Sequence, residues 1–258
     1  MKPEYKPFVD ELIELCIRED IGDGDHTSLS CIPADEHGRM RLLCKQEGTI
    51  AGIEIAQLVL QRLDPEMKFE QILHDGDRVA PGDVAFYVSG RLRSLLQAER
   101  ILLNIMQRMS GVATQTAVYV KRLEGLRTKV LDTRKTTPGM RIFEKDAVRL
   151  GGGVNHRYNL SESVMLKDNH IAAAGGIKAA VEAARKTASF TSMIEVETED
   201  LDMVAEALEA GADIIMLDNM TPEQMKEAVK IIDGRAKTEC SGNVTKENID
   251  RLINIGVD

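Results

Sequence analysis

Three ionisable side chains stand where short apolar runs end. Lys167 closes Ser163–Lys167, Glu197 closes Met193–Glu197 and Asp218 closes Asp213–Asp218. A further run, Lys129–Asp132, leads into Thr133-Arg134-Lys135, and another, Ala236–Cys240, leads into Ser241-Gly242-Asn243. Lysine and two carboxylates brought together can grip an anion, hold sugar hydroxyls, meet a metal ion or stabilise a developing cation. Strand ends are polar simply because they leave the core, which accounts for one or two of these residues. It accounts poorly for a Lys, a Glu and an Asp on otherwise apolar strands.

Cations concentrate close by. Between Arg127 and Arg157 there are eight Lys/Arg and three acids, in a chain that carries 33 Lys+Arg against 42 Asp+Glu and a net charge of −9. Lys145 and Arg149 are expected on the solvated face of a helix. Arg134, Lys135, His156 and Arg157 fall in loops, beside a Gly151-Gly152-Gly153 stretch expected to be flexible. The planar fork of arginine matches carboxylate and phosphate. The expected ligand is therefore strongly anionic, with several phosphates, several carboxylates or both.

The elements that must position these residues follow from periodicity. From about Thr128, β-rich runs alternate with helical patterns. The five runs above are followed by helices at Met140–Leu150, Ile177–Lys186, Leu201–Ala210, Pro222–Ile232 and Lys246–Ile255. This βα order implies parallel strands with right-handed crossovers. Five units in a row without a G-x-G-x-x-G favour a barrel of TIM type, with function at the C-terminal strand ends. Thr221-Pro222-Glu223-Gln224 reads as a capping box with proline at the first helical position. The first half is mixed: helices at Val9–Arg18, Ile53–Leu63 and Ser94–Met109, strands at Arg39–Cys44 and Asp83–Val88, and a loop through Glu19–Thr27. Asp75-Gly76-Asp77 and Pro81-Gly82-Asp83 read as tight turns.

Composition excludes several classes. The 258 residues are too many for one small core. The acidic balance and an aromatic content of 3% without Trp argue against nucleic acid as partner. A charged start, Met1–Cys16, and the lack of long apolar runs argue against a leader or a membrane span, so a cytoplasmic location is expected. Cys16, Cys31, Cys44 and Cys240 have no CxxC spacing and read as free or buried thiols. Gly151-Gly152-Gly153 lacks the Gly-Lys-Ser/Thr of a P-loop, and Asp23-Gly24-Asp25 lacks the Gly and Glu of a calcium loop. His37 and His74 read as surface or turn residues. Lys167 at a strand end leaves a Schiff-base lyase open as an alternative.

Taken together, the motifs resemble the quinolinate phosphoribosyltransferase family. They are Thr133-Arg-Lys-Thr-Thr-Pro-Gly139, Gly151-Gly-Gly-Val-Asn-His-Arg157, Leu166-Lys-Asp-Asn-His170, Ile194-Glu-Val-Glu197, Ile215-Met-Leu-Asp-Asn219, Ser241-Gly-Asn243, Glu19 to Thr27 and Glu99-Arg100 with Gln107 to Gly111. The resemblance covers essentially the whole chain. It implies transfer of phosphoribosyl from phosphoribosyl pyrophosphate to quinolinate with decarboxylation, giving nicotinate mononucleotide, CO2 and pyrophosphate in NAD synthesis. It implies an N-terminal α/β sandwich-like domain, residues 1–112, which serves as dimer partner of the active site, and an open, distorted TIM-like α/β barrel over 113–258. The assembly expected is a homodimer with shared sites, with a hexamer as alternative.

By that resemblance Arg100 of the neighbouring subunit, Arg134, Lys135, His156, Arg157 and Lys167 grip the two carboxylates of quinolinate, and Thr133 is a further substrate-binding residue. Glu197 and Asp218 hold the ribose hydroxyls, and Ser241, Gly242 and Asn243 the 5′-phosphate. Lys135, Lys167, Glu197 and Asp218 are the catalytic candidates. Mg²⁺ arrives on the pyrophosphate, near Glu197 and Asp218, with no certain protein ligand. After Asp258 the resemblance implies a further strand, a Gly loop and a helix, because Ile255-Gly-Val-Asp258 repeats the lead-in Ala210-Gly-Ala-Asp213. The rivals are a paralogue of the same fold, of the kind found beside molybdenum-transport genes, the Schiff-base lyase and a non-catalytic anion-binding protein. The presence of Arg100, Arg134, His156 and Arg157 together favours quinolinate over the paralogue's ligand.

Overall fold

A computed structural model describes residues 5–258. The chain divides into two compact units, one of residues up to Val118 with Lys135–Asn155, the other of Tyr119–Arg134 with His156–Asp258. Among the described residues no helix is long and apolar enough to cross a membrane.

In the first unit, α1 (Lys6–Ile21) extends beyond the expected 9–18 and buries Val9 and Ile13. The expected loop through Thr27 is instead broken by α2 (His26–Cys31), because Asp25 accepts the Ser28 N–H at 3.1 Å and caps it. There follow β1 (His37–Leu43), β2 (Gly48–Thr49), α3 (Ile53–Leu63), β3 (Lys68–Gln71), β4 (Arg78–Val79) and β5 (Val84–Arg91). Strands β1, β5 and β3 form an antiparallel sheet in that order, and β2 pairs with β4. The two expected turns form. Asp77 accepts the His74 N–H at 2.7 Å and Asp83 accepts the Ala80 N–H at 2.8 Å. Asp75 does more: it accepts the N–H groups of Ile53 and Glu54, at 2.8 and 3.1 Å, capping α3, whose own N-cap is Gly52.

Strand β5 runs directly into α4 (Leu92–Arg122), 31 residues and far longer than the expected 94–109. Nothing at Ser110-Gly111 stops it, because buried Ala113, Thr116 and Ala117 continue its inner face. Helix α5 (Arg141–Leu150) buries Phe143 and Ala147. It also buries Lys145, at 4% exposure, where a solvated lysine was expected; Arg149 pairs with Asp146 at 2.8 Å, as a surface residue would. Gly151 is not a flexible spacer. A Cβ there would lie 2.4 Å from the Ala113 carbonyl oxygen and 2.8 Å from Thr116 Cβ, so glycine allows the end of α5 to approach α4.

The second unit holds β6 (Val164–Leu166), α6 (Asp168–Ala174), α7 (Ile177–Thr187), β7 (Ile194–Thr198), α8 (Leu201–Glu209), β8 (Ile214–Asp218), α9 (Pro222–Ile232) and β9 (Lys237–Ser241). The four strands are parallel and lie in sequence order, an open α/β arrangement of the expected kind. Helix α9 begins with the expected capping box, Gln224 N–H to Thr221 Oγ1 at 3.2 Å and Thr221 N–H to Gln224 Oε1 at 3.0 Å. Two expected elements do not form. Lys129–Asp132 is not a strand but an irregular segment with one bridge at Leu131, and the Lys129 N–H bonds to the Asp258 carbonyl at 2.8 Å. Lys246–Ile255 gives only a 3-10 turn at Ile249–Leu252. There the Asn248 side chain takes the Thr245 N–H at 2.8 Å and donates to the Asn243 carbonyl at 2.7 Å, local bonds that compete with a helix.

Alternation along these strands separates two chemistries. One face carries Leu166, Ile194, Val196, Ile215 and Leu217, packed with residues of α7, α8 and α9 in a single core. Each such side chain contributes roughly 1.5–3 kcal/mol by leaving water. The other face, and the strand ends beyond it, carries Lys167, Glu195, Glu197, Asp218, Glu239 and Ser241.

The close approach at Gly151 predicts that Gly151→Ala destabilises the protein by roughly 1–3 kcal/mol. Gly111→Ala, inside α4 where a Cβ meets nothing within 4 Å, should instead stabilise it by about 0.5–1 kcal/mol. Chemical denaturation of the two variants checks the opposite signs.

Candidate active site

Lys167 and Glu197 follow in register at the C-terminal ends of β6 and β7, and Lys167 Nζ lies 2.5 Å from Glu197 Oε2. Lys167 is also the residue before α6. Its backbone N–H bonds to His170 Nδ1 at 3.0 Å, and Asp168-Asn169-His170 is the first turn of a helix that fixes where the lysine leaves the sheet. Glu197 is the less exposed partner, 17% against 44% for Lys167.

Asp218 ends β8 in register with Ser241 at the end of β9. Between these ends the backbone is closely packed. Asn219, at φ 53°, donates its N–H to the Ser241 carbonyl at 3.0 Å and its amide nitrogen to Asp218 Oδ2 at 2.6 Å. Gly242 adopts φ +98°, and a Cβ on it would stand 2.1 Å from Asn219 Oδ1 and 2.9 Å from the Asn219 backbone nitrogen. Asn243 reaches Asn219 Oδ1 at 3.3 Å, and Arg251 donates to the Gly242 carbonyl at 3.1 Å. The Ser241-Gly242-Asn243 turn and Asp218 are thus one unit of structure, held by asparagine side chains.

His156 sits deeper, 13% exposed. Its Nε2 lies 3.0 Å from Glu195 Oε2 and 3.5 Å from Glu239 Oε2. Its backbone N–H is accepted by Asp132 Oδ1 at 2.8 Å, and its Nδ1 accepts the Arg157 N–H at 2.8 Å. Hydrogen bonding to Glu195 and then Glu239 pushes the imidazole up to about 9, against the opposing effect of burial. The Arg157 guanidinium donates to the Ser163 carbonyl at 3.1 Å and contacts Met165 sulfur at 3.4 Å. Burial and then the neighbouring Arg134 lower its pKa, while Glu195 raises it. Arg134 is half-buried and Thr133 exposed.

The remaining candidates lie in the first unit. Arg100 is exposed on α4 and Lys135 is exposed just before Thr136-Thr137. That segment is anchored by buried Glu144, which accepts Arg108 Nε at 2.8 Å and the Thr137 N–H at 3.1 Å, while Arg108 also reaches Thr137 Oγ1 at 3.1 Å. Burial raises the Glu144 carboxyl, but the bonds from Thr137 and Arg108 outweigh it and hold the group below its ordinary range. The second unit therefore brings together Lys167 with Glu197, Asp218 with the 241–243 turn, and His156 with Arg157.

Residues 112–258 match the family described as quinolinate phosphoribosyl transferase, C-terminal domain, and residues 25–110 match the corresponding N-terminal domain. The chain belongs to the quinolinate phosphoribosyltransferase family. It is 42% identical over 254 residues to a probable nicotinate-nucleotide pyrophosphorylase (carboxylating) of Synechocystis, covering 97% of this chain and 86% of that one. It is 43% identical over 242 residues to the protein of the same name in Bacillus subtilis, covering 93% and 83%. The crystal structure of NadC from Streptococcus pyogenes superposes with a TM-score of 0.95 at 43% identity, over 100% of this chain and 90% of that one.

For this phosphoribosyltransferase-family chain, the sequence names Lys167, Glu197 and Asp218 as candidates but not Glu195, Glu239 and Asp132, which the structure places against the candidate His156. Glu195 and Glu239 were legible: each is two residues before a candidate, Glu197 or Ser241, and so on the same sheet face. Asp132 acts through a backbone N–H distant in sequence and left no such signal.

The packing at Gly242 generates a prediction. Gly242→Ala should cost on the order of 1–3 kcal/mol, combining a disfavoured φ with a clash against Asn219. A melting temperature equal to that of the unsubstituted protein would show that the turn does not require glycine.

Proposed function

We propose that the chain transfers the phosphoribosyl group of phosphoribosyl pyrophosphate to quinolinate with loss of CO2, giving nicotinate mononucleotide and pyrophosphate. The observation that carries this reading is the alignment of Lys167, Glu197 and Asp218 on one face of a parallel sheet with His156 and Arg157 in the same unit. An anionic ring with two carboxylates suits the cations, and a ribosyl group suits the carboxylates.

In this reading Arg134, Lys135, His156, Arg157 and Lys167 grip the acceptor together with Arg100 of a partner protomer, and Thr133 also contacts substrate. Glu197 and Asp218 bind ribose hydroxyls and oppose the positive charge that grows at the anomeric carbon as pyrophosphate departs. The Lys167–Glu197 pair keeps that carboxylate in place until substrate enters. The 241–243 turn receives the 5′-phosphate. Mg²⁺ belongs to the pyrophosphate substrate and keeps its waters, so no side chain is assigned to it.

The pyridine nitrogen forms the new bond to the anomeric carbon and becomes cationic. The bond from the adjacent ring carbon to its carboxylate then breaks. The electron pair stays on that carbon, stabilised by the charged nitrogen, and a proton replaces CO2. No strong base is needed, and the protein supplies position and field. A lyase acting through Lys167 fits less well, because an ammonium paired with Glu197 has no lone pair to attack a carbonyl.

The decisive assay incubates the full chain with quinolinate, phosphoribosyl pyrophosphate and Mg²⁺ and measures CO2 and nicotinate mononucleotide in equal amounts. No product above background from folded protein contradicts the reading. Glu197→Gln should lower kcat by roughly 10²–10³-fold while the fold is kept. Arg100→Ala should weaken quinolinate binding without changing the oligomeric state, and unchanged affinity would remove Arg100 from the site.

A further inference from the structure

Asn219 follows Asp218 at the end of β8, and the proposed function gives it no task. We propose that Asn219 is a positioning residue, whose side-chain amide holds the Asp218 carboxylate against the 241–243 turn and aims it at the ribose. The identity of the sugar ligand rests on the proposed function.

The amide is committed on both sides. Its Nδ2 donates to Asp218 Oδ2 at 2.6 Å, and its Oδ1 accepts from Asn243 Nδ2 at 3.3 Å. The carboxylate decides this orientation, because an amide turned over would set its own oxygen against Asp218 Oδ2. Asp218 makes no other side-chain hydrogen bond among the described residues. The amide therefore sets the direction of the carboxylate and leaves Asp218 Oδ1 for a ligand.

The fold by itself does not call for this arrangement. Asn219 is exposed, where water would satisfy an amide equally well. Its φ of 53° lies in the left-handed region, which costs a residue with a side chain energy. Gly242 must also lack a Cβ, because Asn219 Oδ1 fills the space that one would need. Glycine at position 219 would keep the backbone bond from its N–H to the Ser241 carbonyl and remove both constraints. An exposed residue that keeps such constraints points to a function for its side chain.

The turn has supports of its own. Arg251 donates to the Gly242 carbonyl at 3.1 Å, and Asn248 donates to the Asn243 carbonyl at 2.7 Å. Neither bond involves Asn219. Removing the amide should therefore release Asp218 while the 241–243 turn stays. A released carboxylate meets the ribose out of place, and a displacement of about 1 Å is enough to cost rate steeply.

The test uses Asn219→Gly and Asn219→Asp in the full chain. Both replacements tolerate the backbone conformation and lack the amide N–H, and aspartate keeps the shape of asparagine. Each variant should fold, bind quinolinate as the unsubstituted protein does, and lose roughly 10–10²-fold in kcat/KM for phosphoribosyl pyrophosphate. Combined with Asp218→Ala, Asn219→Gly should add little further loss, because its effect passes through that carboxylate. A crystal structure of Asn219→Gly without substrate should show Asp218 turned away or in several rotamers, with the 241–243 turn in place. The proposal is overturned by kcat/KM unchanged in both variants, by losses that add in the double variant, or by an Asp218 carboxylate that has not moved. Failure of both variants to fold, or quinolinate affinity falling together with melting temperature, shows a merely structural role and overturns it too. No product from the folded, unsubstituted protein, with Asp218 displaced in the variant as expected, contradicts instead the function on which the sugar's identity rests.

Discussion

Everything in the second unit depends on the two-residue alternation of four short parallel strands. Each strand must bury one face against helices to exist at all, and Leu166, Ile194, Val196, Ile215 and Leu217 do so. The opposite face is thereby freed from the core's demand for apolar residues. It can carry Glu195, Glu197 and Glu239 at positions which, shifted by a single residue, would drive carboxylates into the hydrocarbon. Register is therefore what protects the site. A strand that slipped would lose both its core and its chemistry, so the interactions that stabilise the fold also fix the functional geometry.

On that polar face, charges are held by partners before any ligand is present. Lys167 holds Glu197, Asn219 holds Asp218, and His156 stands between Glu195 and Glu239. In an acidic chain, an anion-binding site cannot rely on net charge to attract its ligand. It relies on local pairing, in which carboxylates are neutralised by neighbours and arginines such as Arg157 keep donors directed by backbone contacts. Preorganisation of this kind lowers the reorganisation needed when charge develops during reaction.

Much of this was legible in sequence because it is local. The strand-end residues, the capping box at Thr221 and Gln224, and the turns at Asp77 and Asp83 follow from spacing within a few residues. What was not legible depends on distant partners. The helical start at Asp25 was hidden by its resemblance to a loop, and α4 continued past Gly111 because its inner face still had a core to meet. Lys129–Asp132 has a strand's composition but bonds to Asp258 at the other end of the chain. Gly151 looked flexible because a glycine run has no sequence sign of close packing. Lys145 looked solvated because charge alone does not report burial. In the site itself, residue types pointed to the chemistry, while the support from Glu195, Glu239 and Asp132 required either a deliberate count along the strand or the folded structure.

The central claim is that the polar face of this sheet is where the aromatic diacid and the ribosyl donor meet. A crystal structure of the protein with quinolinate bound tests it most directly. The account predicts the ring's carboxylates against Arg157, His156 and Lys167, with Glu197 and Asp218 left open for the sugar. Quinolinate bound elsewhere, with Lys167 and Glu197 still paired and untouched, would contradict it.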